Sequence, residues 1–232
     1  MTENRSSDQV RENLKRIRFE IEETCSACGR DPNDVTLMAV TKTVSPELVN
    51  VALSEGVRLL GENRAQELVS KYESYHTDFK QIHFIGHLQT NKVKQIIDKV
   101  SMIESVDSEH LAAEINRCAG LSGKTMEILL EVNLGGEQSK SGVAKEDLFE
   151  LAEKVSGYPN LILRGLMVIP PVGEGARYFE QAQKLLIDMQ AKKLDNRNVN
   201  ILSMGMSADY IDAIRFGSTI IRVGRGLFGE RN

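Results

Sequence analysis

Val35-Thr-Leu-Met-Ala-Val-Thr-Lys42-Thr43 is the stretch from which the fold can be read. Seven residues, mostly apolar, run without a break and end on a lysine. Asp31-Pro32-Asn33-Asp34, just before them, is a turn signal. A short run rich in Val, Thr and Leu behind a turn reads as a buried strand. An ammonium at the end of such a strand loses hydration, and its pKa tends to fall. The neutral amine this favours is the nucleophile that forms Schiff bases. The plainer alternative is that Lys42 emerges at the strand end and reaches solvent.

Working outward, Val10, Leu14, Ile17 and Ile21 recur at helical spacing behind Ser6 or Ser7, either of which can cap. They predict an amphipathic helix that ends between Cys25 and Gly29. Beyond Lys42 the pattern alternates. Further strands are predicted at 57–60, 82–85, 101–106, 125–132, 161–169, 199–203 and 218–223. Helices are predicted between them at 46–54, 65–75, 91–100, 108–118, 145–155, 176–193 and 208–214. Alternation of this kind implies a parallel sheet. Eight such units fit a closed (β/α)8 TIM barrel at the small end of its size range, with an extra N-terminal helix. An open doubly wound sheet would want a Gly-rich phosphate loop after the first strand, where this chain has Lys42-Thr43. No linker divides the chain, so one domain over 1–232 is expected.

The bulk numbers remove several classes of function. With 232 residues, 41% hydrophobic and 27% charged, the chain can bury a core without disulfide or metal staples. A net charge of −4 gives no basic field for nucleic acid or acidic membranes. No apolar run approaches a membrane span, and the polar start is no secretory signal, so a cytoplasmic protein is expected. Cys25, Cys28 and Cys118 are too few for a disulfide framework. Cys25-Ser-Ala-Cys28 has no second pair to complete a zinc site, and no metal is expected.

In these barrels active sites form at the C-terminal strand ends. Those ends read Lys42, Glu62 with Asn63, His87, Asn133, Met167, Ser203 with Ser207, and Arg222. Ser203-Met-Gly-Met-Ser207 puts a glycine and two hydroxyls between a strand and a helix N-terminus, where backbone N–H groups favour phosphate. The plainer reading of Ser207 is that helix's N-cap, a role compatible with holding phosphate. Gly217-Ser218-Thr219 adds hydroxyls, though at the start of the last strand. Arg222, set between apolar residues, stays charged and needs an acceptor: a carboxylate such as Glu62, or a ring nitrogen of a bound heterocycle. His83 and His87 straddle a strand end, which is poor spacing for a metal. The polar loop from Asn133 to Gly142 reads as a lid or a surface loop.

Together, Ala39-Val-Thr-Lys42-Thr, Gly61-Glu-Asn63, His83-Phe-Ile-Gly-His-Leu-Gln89, Ser139-Lys-Ser-Gly142, Arg164-Gly-Leu-Met167, Ser203-Met-Gly-Met-Ser207 and Ile221-Arg-Val-Gly224 resemble the pyridoxal phosphate homeostasis protein family. These are single-domain relatives of the N-terminal barrel of alanine racemase. The resemblance implies pyridoxal 5′-phosphate (PLP) held as an internal aldimine on Lys42. It implies a phosphate site from Ser203 to Ser207 with Ser218 and Thr219, Arg222 facing the pyridine nitrogen, and Asn63, Met167 and Gly224 lining the cofactor. Val44 departs from the family, where the second position after the lysine is often basic.

The function the resemblance implies is a carrier or regulator in vitamin B6 homeostasis. PLP-dependent apoenzymes would be the recipients, and a monomer is expected. An arginine at the ring nitrogen disfavours the proton that makes PLP an electron sink, which argues against an enzyme. The two-domain racemases also use a tyrosine from a second domain, for which the sequence after the last strand has no room. The alternatives are a slow amino-acid racemase, a Schiff-base aldolase or a partner-binding scaffold. A racemase needs a second base, and His87 and Tyr210 are the candidates.

Overall fold

The computed structural model describes residues 6–76, 81–137, 141–171, 173–192 and 198–230. In chain order the elements are α1 (Ser7–Cys28), β1 (Thr36–Val40), α2 (Pro46–Ser54), β2 (Leu59–Glu62), α3 (Ala65–Lys71) and β3 (Ile82–Phe84). There follow α4 (Val93–Ile96), β4 (Met102–Val106), α5 (Glu109–Leu121), β5 (Met126–Asn133), β6 (Val143–Ala144) and α6 (Leu148–Ser156). The chain continues with β7 (Leu161–Val168), α7 (Gly175–Ala191), β8 (Ile201–Met206), α8 (Tyr210–Arg215), β9 (Ile220–Val223) and α9 (Arg225–Phe228).

All pairings are parallel, in the order β4-β3-β2-β1-β9-β8-β7-β5. A further pairing of β4 with β5 joins the two ends, so the sheet closes into a barrel. The open-sheet alternative is thereby excluded. β6 pairs only with the end of β5 and stands outside the ring. Parallel strands carry every βα loop to one end, and the helices cover the outside.

The barrel strands are buried on both faces, which is why they read as continuous apolar runs rather than alternating ones. Met38, Val40, Leu59, Ile85, Met102, Leu129, Met167 and Ile220 form the interior cluster. A larger cluster, including Ala39, Leu60, Phe84, Ile103, Phe179 and Phe228, lies between the sheet and its helices. Each large side chain so buried contributes about 1.5–3 kcal/mol. α1 begins where Ser6 Oγ accepts the Gln9 N–H, at 3.2 Å. It buries Val10, Leu14, Ile17 and Ile21 and packs on α2, α8 and α9.

The elements fall where the periodicity puts them, with informative shifts. β2 starts two residues later than the apolar run suggests and takes in Gly61 and Glu62. β8 runs on to Met206, so Ser203 is a mid-strand residue rather than a strand end. β6 and α9 have no counterpart in the hydropathy pattern. The last residue of the helix expected over 176–193, and Gln138, Ser139 and Lys140 of the 133–142 loop, lie outside the described residues. Among the described residues no helix is long and apolar enough to cross a membrane.

Candidate functional site

Lys42 follows β1 by two residues, in a turn closed by the Val44 N–H donating to Thr41 O at 3.0 Å. Thr43 takes a left-handed φ of 61°. That conformation is unusual for a β-branched residue and must be held by its surroundings. Two sets of groups hold it. The Thr41 hydroxyl donates to Glu62 Oε1 at 2.6 Å, and the Tyr75 hydroxyl donates to the same oxygen at 2.6 Å. The Thr43 N–H donates to Glu67 Oε1 at 2.6 Å, and Lys71 Nζ donates to Val44 O at 2.7 Å. Lys42 is half-buried and lines a small pocket with Val40, Val44, Gly224, Arg225, Phe228 and Gly229. The turn after β1 and the turn after β9 therefore share one wall of the mouth.

Arg222 points into the barrel. Its Nη1 donates to Ser203 Oγ at 2.8 Å and its Nη2 to Val168 O at 2.8 Å. Ser203 Oγ donates in turn to Glu104 Oε2 at 2.6 Å, and His83 Nδ1 lies 2.6 Å from Glu104 Oε1. Burial pulls the Arg222 guanidinium below its ordinary value, and Glu104, then Glu131 and Asp209, oppose that. Burial also pushes the Glu131 carboxyl up, while Ser141 Oγ donates to it at 2.8 Å. Met167 is fully buried in the interior, in register with both Glu131 and Ser203.

Gly205 shapes the end of β8. Its φ is 90°, and an added Cβ would stand 2.5 Å from Ala213 Cβ. Only glycine lets β8 bend so tightly against α8. The bend brings Ser207 to the turn after β9, where Ser207 Oγ accepts the Gly226 N–H at 3.0 Å. A Cβ on Gly226 would lie 3.1 Å from Val223 Cγ1 and 3.4 Å from that hydroxyl oxygen, so the turn packs closely on both. A hydroxyl beside backbone N–H groups at the start of a helical turn is a natural seat for an anion. The N-cap alternative for Ser207 does not hold, since Asp209 precedes α8.

The sequence-selected residues thus divide. Lys42, Gly224, Ser207 and Arg222 lie at or near the C-terminal strand ends, with Met167 below them. Asn63 follows β2 there, and its Oδ1 is buried without a hydrogen-bond partner. Ser203 is brought to Arg222 and not to Ser207. Ser218 and Thr219 precede β9 and so lie at the opposite end. The Ser218 hydroxyl donates to Met204 O at 2.8 Å, and Thr219 Oγ1 accepts the Leu202 N–H at 2.9 Å. Glu62 is not the partner of Arg222: strand alternation turns it outward, to Thr41 and Tyr75. Tyr210 OH donates to Glu20 of α1, outside the barrel. His87 is exposed on the rim, where with Asp107 and His110 it lines a cleft of about 470 Å³.

Glu104, Glu131 and Gly226 were not selected from the sequence. The available signal was a carboxylate among mostly apolar residues inside each of two strands, in Met102-Ile-Glu-Ser-Val106 and Leu129-Leu-Glu-Val132. Among the described residues no cluster of His, Cys, Asp and Glu is arranged to hold a metal ion. Cys25 is buried and Cys28 exposed, and burial pushes the Cys25 thiol up, away from reactivity.

Residues 7–232 match the family model for the alanine racemase N-terminal domain. The pyridoxal phosphate homeostasis protein of Aquifex aeolicus (strain VF5) is 42% identical over 95% of this chain and 97% of its own length. That of Escherichia coli (strain K12) is 34% identical over 97% and 98%. PipY of Synechococcus elongatus PCC7942, solved with PLP bound, is 34% identical with a TM-score of 0.79, covering 90% of this chain and 100% of PipY. Alanine racemase of Clostridium difficile 630 has a TM-score of 0.72 at 19% identity, over 97% of this chain and 56% of its own, and so shares the fold. With a closed parallel barrel of this type and relatives matched over nearly their full length, the chain belongs to the alanine racemase N-terminal domain family and, within it, to the pyridoxal phosphate homeostasis proteins.

Proposed function

We propose that this chain binds pyridoxal 5′-phosphate and works in cytoplasmic vitamin B6 homeostasis, carrying the cofactor as a Schiff base on Lys42. The observation that carries the reading is the shared mouth. An amine on the turn after β1 lines one pocket with Gly224 and Arg225, and the same β9 turn binds Ser207 through Gly226. The residues fit the cofactor on three further counts. The Ser207 hydroxyl and the Gly226 N–H stand together at the mouth, the buried Asn63 Oδ1 awaits a partner, and Arg222 is fixed inside the barrel. The names of the relatives, and the PLP bound to PipY, support the same ligand.

When bound, PLP supplies an aldehyde that condenses with amines and a ring that can accept electron density. Lys42 would supply the neutral amine for that condensation, with the carbonyl oxygen released as water. Ser207 and the turn from Gly224 to Gly226 hold the phosphate. Arg222 offers the ring nitrogen an N–H donor that never gives up its proton. A fixed cation there disfavours a protonated ring and so weakens carbanion stabilisation. That favours storing and delivering the aldehyde, as a monomer with PLP-dependent apoenzymes as recipients, over racemising amino acids.

The test is intact mass after borohydride reduction of protein incubated with PLP. Wild type gains one reduced cofactor, mapped to Lys42, and Lys42→Ala gains none while keeping its thermal midpoint. An adduct retained in Lys42→Ala would remove the lysine assignment. Sustained alanine racemisation that disappears in Lys42→Ala would move the protein to the enzymes.

A further inference from the structure

The turn that carries Lys42 is held by an ion pair from the next helix. Glu67 and Lys71, one turn apart on α3, are bonded side chain to side chain. Their side chains are only 16% and 14% exposed, so solvent screens the pair little. Neither group is spent on the other alone. Glu67 Oε1 also accepts the Thr43 N–H at 2.6 Å. Lys71 Nζ also donates to Val44 O at 2.7 Å and to Thr41 O at 3.4 Å. Three backbone groups, on both sides of Lys42, are therefore tied to two side chains of α3. Thr43 meanwhile keeps a left-handed φ of 61°, which a β-branched residue leaves unless something holds it.

We propose that Glu67 and Lys71 are positioning residues: together they clamp the Thr41–Val44 turn so that the Lys42 amine is aimed at the cofactor aldehyde. The clamp sits behind the turn, on the helix side, and touches neither the Ser207–Gly226 turn nor Arg222. It acts on the direction of approach of one amine, not on the seat of the ligand. This inference rests on the proposed role of Lys42.

The experiment compares two ligands on the full-length protein. PLP can condense with Lys42. Pyridoxamine 5′-phosphate has the same ring and phosphate but an amine in place of the aldehyde, so it reports the seat alone. For wild type and Lys71→Met, the rate of borohydride-trapped adduct at Lys42 is followed by mass, and pyridoxamine 5′-phosphate affinity by titration. Lys71→Met is expected to slow trapping about tenfold, because misaimed reacting groups forfeit effective concentration. Pyridoxamine 5′-phosphate affinity should stay within about twofold, a difference of under ~0.5 kcal/mol. Lys71→Arg, which keeps donors for the carbonyls, should recover part of the rate.

Trapping of Lys71→Met at the wild-type rate would overturn the inference. So would a fall in pyridoxamine 5′-phosphate affinity by the same factor as trapping, since that marks a general collapse of the mouth. If Lys71→Met does not fold, Glu67→Gln serves instead: it keeps an oxygen for the Thr43 N–H and removes the charge that pins Lys71. It should slow trapping about threefold, and an unchanged rate would overturn the inference. A wild type that yields no adduct at Lys42 would overturn the underlying reading, and the inference with it. A trapped wild type with an equally fast Lys71→Met overturns the inference alone.

Discussion

Two charged clusters flank the barrel wall that carries Lys42, and they differ in what they face. Inside the barrel, Arg222 is bridged through the Ser203 hydroxyl to Glu104, with His83 behind it. Outside, under the helix layer, Glu62 holds Thr41 and Tyr75 while Glu67 and Lys71 hold the Thr41–Val44 turn. The inner cluster contains a cation that opposing charges sustain, and it lies beneath the open mouth. The outer cluster directs most of its hydrogen bonds to backbone and hydroxyl groups of one turn, with Tyr75 as a further donor. A single fold thus uses buried charge in two ways: inside to set a field for a ligand, outside to fix the chain that bears the reactive amine.

The largest effect should come from removing the inner cation. Arg222→Leu leaves Glu104 and Glu131 buried without the charge that opposes them. Breaking such an arrangement costs about 3–5 kcal/mol. Urea unfolding of the ligand-free protein should show that loss as a lower midpoint at unchanged slope. A loss no larger than that of an exposed arginine would mean that the inner charges are not coupled, and the contrast between the clusters would fail. Ser203→Ala is milder, since both charges remain and only the bridging hydroxyl goes. It should cost about 1–3 kcal/mol, the price of leaving buried partners unsatisfied.

How much of this was legible depends on which direction a side chain points. The barrel and the Lys42 strand end could be read because parallel strands announce themselves by unbroken apolar runs between helices. The same property hides the inside from the outside. Leu59-Leu-Gly-Glu62 carries no mark to say that Glu62 faces the helices, so a pairing with Arg222 looked reasonable and was wrong. Ser218 and Thr219 could be placed at the start of the last strand, but their chemical similarity to Ser207 outweighed their position. Glu104 lies 99 residues from its partner Ser203. No local pattern joins them, although a carboxylate within an apolar strand is itself a signal that a partner waits elsewhere. Glu67 and Lys71 look like an ordinary i,i+4 pair on a helix surface; only the turn packed against them shows that they do more.

The outer cluster can be probed most finely by pH. Burial pushes the Glu62 carboxyl above its ordinary value, against the hydrogen bonds from Thr41 and Tyr75. Its Oε2 is buried without a hydrogen-bond partner, which is the state a protonated oxygen tolerates better than a charged one. An acid whose folded pKa is raised binds more protons in the native state than in the unfolded one, between the two values. Stability should therefore fall as pH rises from the ordinary carboxylate range through the folded value of Glu62. Glu62→Gln keeps an oxygen for Thr41 and Tyr75 and has nothing to ionise. At acid pH, with Glu62 protonated, the two proteins should agree within about 1 kcal/mol. As pH rises the wild type should lose ground to the variant, then run parallel to it once Glu62 is charged in both states. Denaturant midpoints of both proteins at several pH values give the difference curve, in which the common contribution of Glu131 cancels. A flat difference would mean that Glu62 is as well solvated as in the unfolded chain, and a wild type that gains with rising pH would mean that its hydrogen bonds outweigh burial; either would end the sealed character of the outer cluster.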